Sequence, residues 1–151
     1  PELQRHRVTD IIQNGIDYMS KRASKKIHIF LLRETDTNMM AMLNPPLFEW
    51  VLENLMKNAL DAMDDTGEIH VKATERDGFV TIDVTDSGKG ISKSNIDQVF
   101  EPGFSTKKRG WGLGLTLARR IIEEYHHGKI FVKESSSKGT TFRIQLKVAR
   151  E

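Results

Sequence analysis

Apolar positions along the chain change period several times, and each change marks an element. Val8, Ile11, Ile12, Ile16 and Met19 recur at spacings of three and four, which predicts an amphipathic helix over 8–19. Ile27–Leu32 is a short apolar, partly β-branched run and reads as a strand, with a weaker strand over Met39–Leu43. Asn44-Pro45-Pro46 then supplies a helix start, since Asn caps and proline suits a first turn whose N–H has no partner. The helix it opens runs from about Pro46 to Met63, with Phe48, Leu52, Leu55, Ala59 and Met63 on one face. Two alternating runs, Ile69/Val71/Ala73 and Val80/Ile82/Val84, flank Asp77-Gly78 and predict a hairpin. A last helix spans about Gly112 to His127 on Leu113, Leu117, Ile121 and Tyr125, with Gly128 as its stop. Lys129–Glu134 and Thr140–Val148 close the chain as strands around a Ser135–Gly139 turn.

This order is not the strand–helix alternation of a doubly wound parallel sheet. It predicts an α+β, two-layer sandwich: a mixed, mostly antiparallel sheet of about five strands with three main helices on one face. With 151 residues, no repeat and no linker, the chain reads as one domain over 1–151. Lys and Arg number 23 against 21 Asp and Glu, so a dedicated nucleic-acid or anionic-membrane binder is not expected. The absence of cysteine removes disulfides, thiolate metal sites and cysteine nucleophiles. No run approaches a membrane span, so a soluble, cytoplasmic, monomeric unit is expected. Pro1 in place of an initiator Met suggests a piece of a longer protein, whose membrane anchor, if any, this sequence leaves open.

Four clusters bear chemistry. Asn54, Asn58 and Asp61 share a helix face at i, i+4 and i+7, where amide oxygens can meet a hard cation or amide N–H groups a phosphate. Taken alone, a solvated face explains them as well. Asp86-Ser87-Gly88-Lys89-Gly90 ends a strand, where a carboxylate can accept from an exocyclic amine; an ordinary Asp-x-Gly turn is the plain alternative. Phe100-Glu101-Pro102-Gly103-Phe104-Ser105-Thr106-Lys107 places two hydroxyls before an ammonium, a phosphate grip or simply a solvated loop. Gly110-Trp111-Gly112-Leu113-Gly114 runs into a helix start, where free N–H groups favour an anion. It is neither a Rossmann fingerprint nor a P-loop.

Together and in this order the clusters resemble the ATP-binding catalytic domain of two-component sensor histidine kinases, within the gyrase, heat-shock chaperone, histidine kinase and MutL superfamily. They match its asparagine box, first glycine box, phenylalanine box and second glycine box, and Gly139-Thr140-Thr141-Phe142 matches its closing Gly-Thr strand. The likeness spans about Val8 to Leu146. It implies a Bergerat-type fold and Mg·ATP as ligand. Asp86, assisted by Thr140, would hold the adenine amine, with Gly88, Gly90, Ile91 and Phe100 about it. Asn58 would ligate Mg²⁺, with Asn54 near the phosphates. Gly110, Gly112, Leu113 and Gly114 would cradle those phosphates, and Ser105, Thr106 and Lys107 would close over them.

The implied reaction is γ-phosphoryl transfer to a histidine imidazole, with a response regulator downstream. Superfamily hydrolases carry a water-orienting Glu where Asn54 stands, which favours kinase over ATPase. Glu53 lies one residue off and either orients the acceptor imidazole or is an exposed acid. An ATPase of the gyrase or MutL type and a non-catalytic nucleotide-binding module are the rival readings. Gly103, where a second aromatic is usual, Ser105 in place of Thr, the short Lys108-Arg109 link and Trp111 all depart from the family pattern. None of His6, His28, His70, His126 and His127 sits in a His-Glu-x-x-x-Pro context. His6 reads as a solvated helix start, and His126 and His127 as cations at a helix C-terminus. The phosphoacceptor and dimerisation helices are therefore expected on another segment, and this chain is not expected to phosphorylate itself.

Overall fold

The computed structural model describes residues 2–32, 38–102 and 114–149. Its elements are β1 (Gln4–Arg7), α1 (Val8–Ser20), β2 (Ile27–Leu31), β3 (Met40–Leu43), α2 (Pro45–Ala62), β4 (Gly67–Arg76), β5 (Phe79–Asp86), the short α3 (Lys93–Ile96), α4 (Gly114–Arg120) running on into a π-helical turn (Ile121–Tyr125), β6 (Lys129–Ser136) and β7 (Gly139–Lys147). Five strands form one sheet in the order β2-β4-β5-β7-β6, and β1 pairs with β3 apart from it. Only β2 and β4 run parallel, because α2 crosses between them; the other neighbours are antiparallel and two pairs are hairpins. This is the mixed, mostly antiparallel sandwich that the hydrophobic pattern predicts.

Period-two burial explains the two layers. Ile69, Val71, Ala73, Val80, Ile82, Val84, Phe142, Ile144 and Leu146 are buried against the helices, while the alternate positions form the other face. On that other face Arg143 grips Asp83 with two bonds of 2.7 and 2.8 Å, so the one deeply set carboxylate there is neutralised by its cross-strand partner. The hairpin at Asp77-Gly78 has positive φ at both central residues, 53° and 83°, as a two-residue turn of this handedness requires. Phe48, Val51, Leu52, Leu55, Met56 and Ala59 make α2 the central helix of the core.

Several expectations are corrected. His6 does not start a helix: it lies in β1 opposite Ala41, and its Nε2 is buried with no hydrogen-bond partner among the described residues. The pairing with β3 captures residues too few and too polar to show a strand period. The last helix is not regular to His127. Its closing turn is π-helical, and the stripe facing the core is Ala118, Ile121 and Ile122, leaving Leu117 exposed. The helix ends at Tyr125, before Gly128, and the left-handed residue at its end is His127, at φ 56°. A Cβ on Gly128 would strike the carbonyl of Gln145, so the glycine serves close approach to β7.

His126 is not a cation. It is buried, its Nδ1–H donates to the Ile121 carbonyl at 3.0 Å, and its Nε2 accepts the Asn44 N–H at 3.1 Å. Burial, chiefly, pushes its pKa below the ordinary imidazole range; the Ile121 carbonyl partly opposes this and neighbouring His127 adds to it. The unfolded chain takes up a proton at this residue near about pH 6.5, and the folded chain resists doing so. Stability linked to His126 is therefore complete above that pH and lost as the pH falls through it. We expect the urea midpoint to fall between about pH 7.5 and about pH 5.5, and to fall less in His126→Gln. An equal fall in both proteins would show that His126 has no part in it.

Candidate functional site

The site is built around α2. Asn44 caps it, accepting the Leu47 N–H at 3.2 Å, and Pro45 and Pro46 occupy its first turn. With the apolar face committed to the core, Glu53, Asn54 and Asn58 fall at its half-buried border, and Asp61 lies in the open. Asn54 donates its amide N–H to the Trp50 carbonyl one turn back, at 2.9 Å. That fixes the amide, and Oδ1 faces Gly114 at the start of α4, where an added Cβ would sit 3.0 Å away. The asparagine box and the final glycine of the second glycine box are thus neighbours.

The other end of α2 meets the first glycine box. The Ala62 carbonyl, one of the helix's otherwise unpaired last acceptors, takes the Lys89 N–H at 3.1 Å. Gly88 is buried so close to it that a Cβ would lie 2.6 Å from the same oxygen. Gly90, at φ 82°, lies against the Ser136 carbonyl, and Gly139 against that of Asp86. The segment after β5 is therefore clamped between a helix end and the β6–β7 hairpin. Ser135 completes the clamp: its hydroxyl accepts the Ile91 N–H at 2.7 Å and pairs with the Thr140 hydroxyl at 2.8 Å.

Asp86 itself is buried beside Thr140 across the β5–β7 ladder. Its Oδ1 accepts the Gly88 N–H at 2.8 Å. Burial raises its pKa above the usual carboxylate value, and the N–H groups of Gly88 and Thr140 partly offset that rise. A carboxyl held at a strand end with oxygen lone pairs to spare is an acceptor suited to a neutral N–H donor of a flat ring.

Other expected residues fall elsewhere. Phe100 is buried, edge-on to Phe142 with centroids 6.0 Å apart, and its carbonyl accepts the Thr116 hydroxyl at 2.9 Å. Its ring is thus a core contact. A hollow of about 370 Å³ beside it, lined among others by Pro102, Arg119 and Glu123, contains none of Asn54, Asn58 or Asp86. Glu53 has Glu49 and Arg22 as charged neighbours, so it stands on the α1 flank of α2; burial first, then Glu49, raises its pKa. Ser105, Thr106, Lys107, Gly110, Gly112 and Leu113, with Gly103, Lys108, Arg109 and Trp111, lie outside the described residues. The clamp formed by Ala62 and Ser135 had no signal in the sequence beyond a turn-forming serine run, since one of its two groups is a main-chain carbonyl.

Residues 44–150 match the family model described as histidine kinase-, DNA gyrase B-, and HSP90-like ATPase. The chain belongs to that ATPase family. Among curated relatives of this family, the sensor histidine kinase ZraS of Escherichia coli (strain K12) is 36% identical over 146 residues, covering 97% of this chain and 31% of ZraS. The chain spans about a third or less of the length of the curated relatives it matches. Among solved structures, the nucleotide-free catalytic domain of histidine kinase ThkA superposes with a TM-score of 0.86 at 26% identity, covering 97% of this chain and 96% of that one. ThkA in complex with response regulator protein TrrA gives a TM-score of 0.79 at 23% identity, over 97% of this chain and 42% of that one. The fold is that of a histidine kinase catalytic domain, and the ATPase family places ATP as its nucleotide.

Gly78 and Gly90 separate backbone conformation from close approach, because both have φ near +80° but only Gly78 has nothing within 4 Å of an added Cβ. Gly78→Ala is expected to cost about 1 kcal/mol, the strain of left-handed backbone. Gly90→Ala, which also drives Cβ into the Ser136 carbonyl, is expected to cost at least about 2 kcal/mol. Chemical denaturation of both variants checks this, and equal losses would disprove the clamp.

Proposed function

We propose that this chain binds Mg·ATP along the second half of α2, from Asn54 to Ala62, and transfers the γ-phosphoryl group to a histidine on a separate dimerisation segment, as the catalytic domain of a two-component sensor kinase. One observation carries the reading. Buried Asp86 and the Asn54–Gly114 contact lie at opposite ends of one stretch of α2, from Ala62 back to Asn54. At 1.5 Å per residue that stretch is about 12 Å, the scale on which a purine nucleoside triphosphate separates its base from its phosphates.

Asp86 accepts from the adenine amine, with Thr140 beside it. Gly88 and Gly90 keep the wall thin enough for the ring to lie flat. The residue types fit a hard divalent cation: Asn58 carries an amide oxygen one turn beyond Asn54, on the same half-buried border of α2. One or two such oxygens with phosphates and waters complete an octahedral set. When bound, Mg²⁺ neutralises charge building on the phosphate oxygens. The chain's task is alignment: the imidazole nitrogen forms a bond to the γ-phosphorus as the bond to the ADP oxygen breaks, and the electron pair leaves on ADP. Asn54, standing where family hydrolases carry Glu, is a poor base for water, which directs the phosphoryl group to imidazole. Glu53, turned about 100° from Asn54 toward Arg22 of the neighbouring segment, is assigned no part in this reading. The phosphohistidine is then the donor to a response regulator.

Asp86→Asn is expected to weaken Mg·ATP binding by about 1–3 kcal/mol, the value of a hydrogen bond to a charged group. Because burial disfavours the ionised carboxyl in the folded state, the same variant should melt no lower than the parent at neutral pH. Calorimetric titration and thermal melting test both halves; unchanged affinity would remove Asp86 from the base pocket.

With γ-labelled ATP the chain alone should acquire no acid-labile label. Adding the phosphoacceptor segment of the same full-length protein should place label on that segment's histidine. Phosphate release by the chain alone, abolished in Asn54→Ala, would instead establish a hydrolase.

A further inference from the structure

Two helices of this fold approach each other at two named places, a close packing of Asn54 Oδ1 on Gly114 and a hydrogen bond from Asn44 to His126, and the direction of the chain makes those places a register. Asn54 meets Gly114 at the start of α4, and Asn44 meets His126 just past the π turn that continues α4. Asn44 precedes Asn54 while Gly114 precedes His126, so the helices run in opposite directions, and their contacts are separated by about 15 Å of α2. Between them the packing is apolar, with Ala118, Ile121 and Ile122 buried in the core that α2 centres. Apolar contacts are non-directional and allow one helix to shift along another by a fraction of a turn. Directional bonds do not.

The His126 end is all directional. The ring is buried and lies 5.7 Å, centroid to centroid, from Phe48 in the first turns of α2. Both nitrogens are committed, Nδ1–H to the Ile121 carbonyl and Nε2 to the Asn44 N–H. With one donor and one acceptor spent, a single neutral tautomer and a single ring orientation satisfy both partners. The π turn makes this possible. Its wider ring sends the His126 N–H to Ile121 at 3.1 Å, and the same carbonyl then receives the imidazole as well. Asn44 is equally fixed, since its Oδ1 caps α2, its carbonyl accepts the Phe48 N–H at 2.9 Å and its Nδ2 donates to the Glu2 carbonyl at 3.2 Å.

We propose that the His126–Asn44 bond is the pin that sets the axial position of α4 on α2, and so places the Gly114 end of α4 against Asn54 and Asn58. His126 is then a positioning residue for the phosphate end of the nucleotide and has no bearing on the base end, where Asp86 and its glycines are held by Ala62 and Ser136. The assignment rests on the nucleotide-binding reading above, but it makes a separate claim, that loss of the pin is felt by phosphates and not by the base.

Amide NMR titrations of this chain with adenosine and with the Mg²⁺ complex of β,γ-imido-ATP test it. His126→Phe keeps the ring against Phe48 and removes both nitrogens. It should weaken triphosphate binding at least about tenfold, as sub-ångström misplacement of a binding group can, and leave adenosine affinity unchanged. His126→Gln, with an acceptor and a donor on one side chain, should recover most of the loss. Equal weakening for both ligands, or for neither, would overturn the pin. Should His126→Phe fail to fold, hydrogen exchange in the parent decides: triphosphate must slow exchange of the Asn44 amide and adenosine must not, and any other pattern rejects the proposal. A parent chain that binds neither ligand would instead overturn the nucleotide reading itself.

Discussion

The end of α2 and the end of β5 cannot both be where they are unless Gly88 is a glycine. The Ala62 carbonyl would otherwise be an unpaired acceptor at a helix C-terminus, and it is satisfied by a main-chain N–H from the segment that follows Asp86. That bond requires two backbones to approach more closely than any side chain permits, and Gly88 supplies the room. Everything the site does follows from this contact. It brings a carboxyl from the sheet to the helix that carries Asn54 and Asn58, and it does so through main-chain geometry that side-chain motion cannot relax.

A cost accompanies that arrangement. Among the described residues Asp86 has no cationic partner, and burial raises its pKa. The fold contains a contrasting case on the other face of the same strands, where Asp83 is nearly as deep but is met by two nitrogens of Arg143. One carboxyl is spent on holding strands together. The other, among the described residues, accepts only main-chain N–H groups, which is the contrast on which its proposed role in the base pocket rests.

Much of this was legible in residue order because period and punctuation are local. The 3.6-residue face of α2, the Asn44-Pro45-Pro46 start and the Asp77-Gly78 turn each appear where their local chemistry places them. So do Asn54 and Asp86 as candidates, since amides at a helix border and an acid at a strand end are patterns of a few residues. What local chemistry does not carry is decided by partners far along the chain. Gln4–Arg7 is a strand only because Met40–Leu43 pairs with it. His126, eligible as a surface cation by its place after a helix, is instead buried and neutral because Asn44 offers it an N–H from across the fold. Leu117 is exposed because the core-facing stripe of the last helix falls on Ala118, Ile121 and Ile122 instead.

On the proposed nucleotide-binding reading, those long-range partners divide the site into two regions of different mechanical character. The base end is held by carbonyls against glycines, contacts with no rotamers and almost no freedom. The phosphate end depends on the position of a helix whose core-facing stripe is apolar and whose far end is tied by one imidazole. A nucleotide that binds both ends therefore meets one rigid wall and one that a single proton on His126 would loosen, because imidazolium can no longer accept from Asn44. On the proposed reading, then, the base meets a fixed surface, while the phosphates meet an element whose axial position one directional bond holds.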